Sequence, residues 1–125
     1  MRALRDSEAD VEVYVASDEH LLPCFSLGAD GVILELAAVI PDLIADLWEA
    51  VDAGKIGRAR ELYDRMEPFV NAMYEPPVTD SHTRLKVALE RQGVIESAAP
   101  RPPTAPIHED EVAEIERAMA AAGVE

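Results

Sequence analysis

Two short apolar β segments separated by an amphipathic stretch, followed by helical patterns alone, predict an α/β fold. The architecture expected is the C-terminal part of a TIM (β/α)8 barrel, its last two parallel strands followed by C-terminal helices. The first segment is Val11-Glu-Val-Tyr-Val-Ala16 and the second is the run from Val32 to Leu36. Two strands joined through a helix form a right-handed β-α-β unit, which makes them parallel. Residues 1–54 hold the last β/α units of an incomplete barrel, and residues 55–125 form a helical extension.

The elements follow in order. Residues 2–8 read as the end of a helix or a frayed tail. Residues 11–16 are a strand because valines and a tyrosine dominate, with Glu12 acceptable near a strand end. Ser17-Asp18 offers an N-cap for a helix over 18–27, whose apolar side is Leu21, Leu22, Phe25 and Leu27. Pro23 fits only if that helix starts late and places it in the first turn. Gly28-Ala-Asp-Gly31 is a tight entry to the second strand, Val32 to Leu36, in which Glu35 is the odd residue.

Pro41 opens the next helix, whose stripe is Leu43, Ile44, Leu47, Trp48 and Val51; Asp52-Ala-Gly54 ends it. Ile56 to Tyr74 is a long helix with a buried side of Ala59, Leu62, Tyr63, Met66, Phe69, Val70 and Met73, and with Pro68 expected to bend it. Asp80 or Ser81 caps a helix over 82–92 that Gly93 ends. Residues 96–106 hold four prolines and form an extended connector. Ile107 and Val112 staple a final helix over 109–122, striped by Val112, Ile115 and Met119.

Composition excludes several classes. With 25 acidic residues against 11 basic ones, the formal charge of −14 repels a phosphate backbone or an anionic membrane surface. No nucleic acid and no membrane partner is expected. Cys24 is the only cysteine, which rules out an internal disulfide and fits a reducing, cytoplasmic setting. The first residues lack the apolar run of a secretion signal.

The order Tyr14-Val-Ala-Ser-Asp-Glu19, Leu27-Gly-Ala-Asp-Gly-Val-Ile33 and Pro41 resembles the end of the dihydrodipicolinate synthase and N-acetylneuraminate lyase family. Asp52-Ala-Gly-Lys-Ile-Gly-Arg-Ala-Arg-Glu-Leu62, Thr83-Arg-Leu-Lys-Val-Ala-Leu89 with Gly93, and Arg101-Pro-Pro103 resemble its later segments. The resemblance covers nearly the whole chain. It implies a Schiff-base lyase or aldolase, usually tetrameric, that acts on pyruvate or a related 2-oxo acid without a cofactor. It also implies an imine lysine ending the sixth strand, a proton-relay tyrosine ending the fifth, and a threonine pair after the second.

Against that pattern the sequence starts after the sixth strand, so no catalytic residue is assigned. Tyr14 belongs to the seventh strand and is not the relay tyrosine. What the resemblance leaves here is the substrate rim. Ser17 stands where the family usually has glycine, Asp18 follows in register, and Ile33 matches the residue whose carbonyl faces the keto acid. Leu34 in place of serine and Ala38 in place of asparagine are departures.

Other chemistry-bearing residues read as structural. Lys55, in a helix–helix turn, and Lys86, beside Leu85 and Leu89, are the only lysines, and neither is placed as an imine lysine. His20, His82 and His108 share no metal-ligand spacing, so no metal is expected. His20 and Cys24 share a helical face, where a small buried thiol is the ordinary reading. For Asp18, helix capping outweighs a site role; for Glu35, an ion-paired or outward position outweighs lining the site. Gly28-Ala-Asp-Gly31 precedes a strand, so it is no phosphate loop.

The sequence alone therefore reads as a fragment or truncated member of this family, inactive by itself, that binds pyruvate or a similar 2-oxo acid only when the barrel is completed. Self-association, or pairing with an N-terminal barrel fragment as a half-barrel subunit, would cover its open strand edges. The alternative is a small helical interaction module using the stripe from Trp48 to Met73 as a dimer surface.

Overall fold

The structure, a computed structural model, describes residues 11–124; the expected helix end or tail over 2–8 lies outside them. Strands β1 (Tyr14–Val15) and β2 (Gly31–Val32) pair in parallel, with Tyr14 opposite Gly31 and Val15 opposite Val32. Flanking bonds from Asp30 N–H to the Val13 carbonyl and from Ile33 N–H to the Val15 carbonyl, both 2.8 Å, lengthen the ladder. The Asp30 carboxylate also accepts the Val13 N–H at 2.7 Å. Gly31 lies against the Tyr14 ring, where a Cβ would stand 2.5 Å from Cε1, so a larger residue there would displace that half-exposed ring.

The second strand is shorter than the apolar run predicts. Leu36–Ala38 forms a 3-10 turn. Its buried Leu36 turns its N–H to the Asp18 carboxylate at 3.3 Å instead of to a neighbouring strand. The crossover also differs from a single helix over 18–27. Asp18–His20 is a 3-10 turn, and α1 (Leu21–Ser26) follows it. The late start puts Pro23 in the first turn of α1, where a missing N–H removes no helical bond. Leu21 and Phe25 are buried, whereas Leu27 lies past the helix end and is exposed.

The remaining helices are α2 (Pro41–Asp52), α3 (Ile56–Tyr74), α4 (Ser81–Arg91) and α5 (Glu109–Ala122). Pro41 occupies the first turn of α2, and Gly54, at φ +69°, makes the left-handed turn between α2 and α3. Helix α3 runs unbroken through Pro68. It is the spine: α2, α4, α5 and α1 all pack on it. Leu62, Met66, Phe69 and Met73 are fully buried there, joined by Leu47 from α2 and Ile115 from α5. Trp48 packs edge-on against Phe25, centroids 5.0 Å apart. Most of the stripe from Trp48 to Met73 is thus taken up inside the chain, with Met66, Phe69 and Met73 buried and Trp48 and Tyr63 half-buried.

The least expected core residue is Arg84, only 2% exposed. Its Nη1 donates to the carbonyls of Met73 (3.2 Å), Glu75 and Pro77 (3.5 Å), the end of α3 and the loop beyond it. Its Nε and Nη2 both donate to Glu111 Oε2 at 3.0 Å. The other Glu111 oxygen accepts the His108 N–H at 3.4 Å, closing the first turn of α5. Ile107 and Val112 are half-buried at the same end, as the staple requires. One guanidinium therefore joins the end of α3, α4 and the start of α5. Asp80 occupies the N-cap position of α4 without a side-chain capping bond.

Replacing Arg84 by alanine leaves Glu111 and three carbonyls without their donor. Urea denaturation of Arg84→Ala should show a loss of about 3 kcal/mol.

Candidate functional site

In a parallel β/α unit, the C-terminal strand ends and the loops after them carry the chemistry. Here those ends are Ala16 to Asp18 after β1 and Ile33 to Glu35 after β2, set side by side by the Val15–Val32 register. Ser17 is half-buried, and its Oγ lies 2.9 Å from His20 Nδ1. Ile33 stands 73% exposed, an apolar side chain facing away from the core. Glu35 is exposed and its Oε1 lies 3.2 Å from His82 Nε2, which puts it on the outside, in an ion pair whenever that imidazole is protonated.

Asp18 is the buried group of this cluster, at 6% exposed. Expected as a cap of the helix that follows it, Asp18 instead serves groups distant in the sequence with its carboxylate. Oδ1 accepts the Leu36 N–H at 3.3 Å and Oδ2 accepts the Tyr74 hydroxyl at 2.6 Å. Ser17, the N-cap residue, likewise pairs its Oγ with His20 Nδ1 and accepts no backbone N–H. The physical reason is competition: a buried carboxylate is satisfied by the nearest orphan donors, and those come from β2's loop and from α3.

Tyr74 was not anticipated as part of the rim. The available signal was its place four residues after Val70 on the buried side of α3, where a phenol needs a partner for its hydroxyl. A second tyrosine of the same helix, Tyr63, donates to the carbonyl of Glu19. Burial first, then the bond to Asp18 and the negative charges of Asp18, Glu35 and Glu19, push the Tyr74 phenol well above its ordinary value. Burial, with Glu67 and Glu19 nearby, also raises Tyr63.

The other candidates have ordinary structural surroundings. Lys55 is exposed between α2 and α3. Lys86 lies on α4 with its Nζ donating to the Ala99 carbonyl at 3.1 Å. Cys24 is a half-buried free thiol against the core. Leu34 packs on that core and Ala38 is exposed in its turn. Among the described residues, no three His, Cys, Asp or Glu side chains are grouped to hold a metal ion, and no helix is long and apolar enough to cross a membrane. A groove of about 740 Å³ between α3 and α5 touches the rim only through Glu19 and Tyr74.

Two adjacent parallel strands, with their polar groups gathered at the C-terminal ends and a helical layer behind, define the closing β/α units of a barrel with a C-terminal extension. Residues 1–122 match the dihydrodipicolinate synthetase family, and the chain belongs to it. It is 34% identical over 116 residues to the 4-hydroxy-tetrahydrodipicolinate synthase of Desulfotalea psychrophila, covering 93% of this chain and 38% of that protein. It is 31% identical over 118 residues to the same enzyme of Kineococcus radiotolerans, again with 38% of that protein covered. A dihydrodipicolinate synthase from Bacillus anthracis superposes with a TM-score of 0.82 at 25% identity, over 94% of this chain and 39% of that one. The N-acetylneuraminate lyase of Fusobacterium nucleatum shares the fold, with a TM-score of 0.82 at 19% identity over 95% and 40% of the two chains. The chain thus spans about two fifths of the length of the relatives it matches.

The raised Tyr74 phenol has a consequence in alkali. The unfolded tyrosine ionises near its ordinary value of 10.0 and the folded one only above it. Its stabilising contribution is therefore complete below that value and is lost as the pH rises through the folded one. Thermal unfolding between pH 9 and pH 12 should show Tyr74→Phe losing less stability with rising pH than the wild type.

Proposed function

We propose that this chain supplies the last two β/α units and the helical extension of a Schiff-base lyase or aldolase of the dihydrodipicolinate synthase type. In this reading residues 1–54 are barrel and residues 55–125 extension. Ser17, Asp18 and Ile33 form the rim of a site for pyruvate or a similar 2-oxo acid. The observation that carries the reading is the parallel register of β1 and β2 in a chain of this family, which gathers those three residues at one end of the sheet.

The chemistry of such a site needs an amine that is desolvated or beside another cation, so that it is neutral and nucleophilic near pH 7. Neither lysine here answers that description: Lys55 is solvated, and Lys86 is half-buried on α4 with its ammonium donating to the Ala99 carbonyl. Within a completed barrel the rim would orient a keto acid, but orientation does not replace the covalent step. The 125-residue chain alone is accordingly inactive, and activity belongs to a barrel completed by an N-terminal segment carrying the imine lysine. Such pairing, or self-association, takes place in the cytoplasm and requires neither nucleic acid nor membrane. The strong negative charge supports that restriction.

Incubation of the chain with pyruvate and borohydride, followed by mass spectrometry, should leave Lys55 and Lys86 unmodified. A reduced pyruvyl adduct on either lysine would contradict the proposal. Added to a separately produced N-terminal segment of six β/α units from a family member, the chain should form a stoichiometric complex in which that segment's lysine becomes modified.

A further inference from the structure

The turn after β1 has little to hold it in place by itself. Asp18–His20 is a single 3-10 turn, its internal bond from His20 N–H to the Ser17 carbonyl is long at 3.3 Å, and α1 behind it has only 6 residues. What fixes it comes from far along the chain. Tyr63 and Tyr74 are eleven residues apart on α3, close to three full turns, so they share a face about 16 Å apart along the axis. Their hydroxyls nevertheless end on consecutive residues, Glu19 and Asp18. The two side chains therefore converge on the turn from the middle of the helix and from its C-terminal end. The free oxygen of Asp18 then reaches the Leu36 N–H, so the turn after β1 and the turn after β2 are linked through one buried carboxylate.

From this geometry we infer that Tyr74, assisted by Tyr63, is a positioning residue for the substrate rim: the helical extension sets where Ser17, Asp18 and Ile33 stand by holding the Asp18 carboxylate between the two strand-end turns. Asp18 is then not a proton carrier or cation ligand. Both its oxygens are engaged, it is 6% exposed, and its task is to hold Leu36. The functional meaning of the inference rests on the rim reading above. The clamp itself does not depend on substrate, so it can fail while that reading stands, or stand while that reading fails.

Amide hydrogen exchange of the full chain, read residue by residue, tests it. Losing a buried hydrogen bond to a charged group should speed exchange at Leu36 by about tenfold to a hundredfold in Tyr74→Phe and in Asp18→Ala. Amides in the middle of α3, such as that of Leu62, should keep their wild-type rates. Asp18→Asn offers an oxygen to the Leu36 N–H and an amide N–H to the Tyr74 oxygen, so it should retain most of the protection. The double variant Tyr74→Phe with Asp18→Ala should exchange no faster at Leu36 than Asp18→Ala alone. Wild-type protection of Leu36 in Tyr74→Phe, or equal loss in Asp18→Asn and Asp18→Ala, overturns the inference. Should Tyr74→Phe fail to fold, the contrast between the asparagine and alanine variants decides the question by itself.

Discussion

The backbone hydrogen bonds of a parallel sheet constrain everything else in this molecule. In a parallel ladder each strand uses alternate residues to reach a given neighbour. Here the groups of Val13, Val15, Gly31 and Ile33 serve the one pairing present among the described residues, and those of Tyr14 and Val32 face outward. Among the described residues neither strand has a partner on its outer edge, where parallel strands ordinarily have neighbours. The helices α2 to α5 share one core with Val15, Leu21, Phe25 and Leu36, and α3 buries its stripe against all of its neighbours. The chain therefore combines a helical layer centred on α3 with a two-stranded sheet whose outer edges meet no strand among the described residues.

The rim inherits this division. Its apolar member, Ile33, stands exposed where a barrel interior would cover it, while its polar member, Asp18, is already buried by helices. The helical layer reaches forward through Tyr63 and Tyr74 to the turn that carries the proposed rim. Distance along the chain is no measure of distance from the site.

Much of this was legible in the sequence where local chemistry decides. Pro41, Gly54 and Gly93 mark helix boundaries because proline and left-handed glycine act without tertiary help, and the stripes of α2, α3 and α5 follow from spacing. The parallel pair follows from the strand–helix–strand order. Misreadings arose where a distant partner overrode local preference. Val32 to Leu36 reads as strand, but Asp18 draws the Leu36 N–H into a turn. Asp18 reads as a cap, but Tyr74 claims its carboxylate. Arg84 enters the sequence reading only within a family-like segment, yet it is fully enclosed because three carbonyls and Glu111 surround it. A buried polar residue is visible in sequence only when its partners are near in sequence, and these are not.

The central claim is that β1 and β2 are neighbouring staves of a barrel whose other staves lie outside the described residues. Its most direct test is amide exchange at Tyr14 and Val32, the two outward-facing strand residues, in the chain alone and after addition of an N-terminal six-unit segment. The account predicts rapid exchange at both in the isolated chain, with the amides of α3 protected, and strong protection at both in the complex. Slow exchange at Tyr14 and Val32 in an isolated monomeric chain would contradict it.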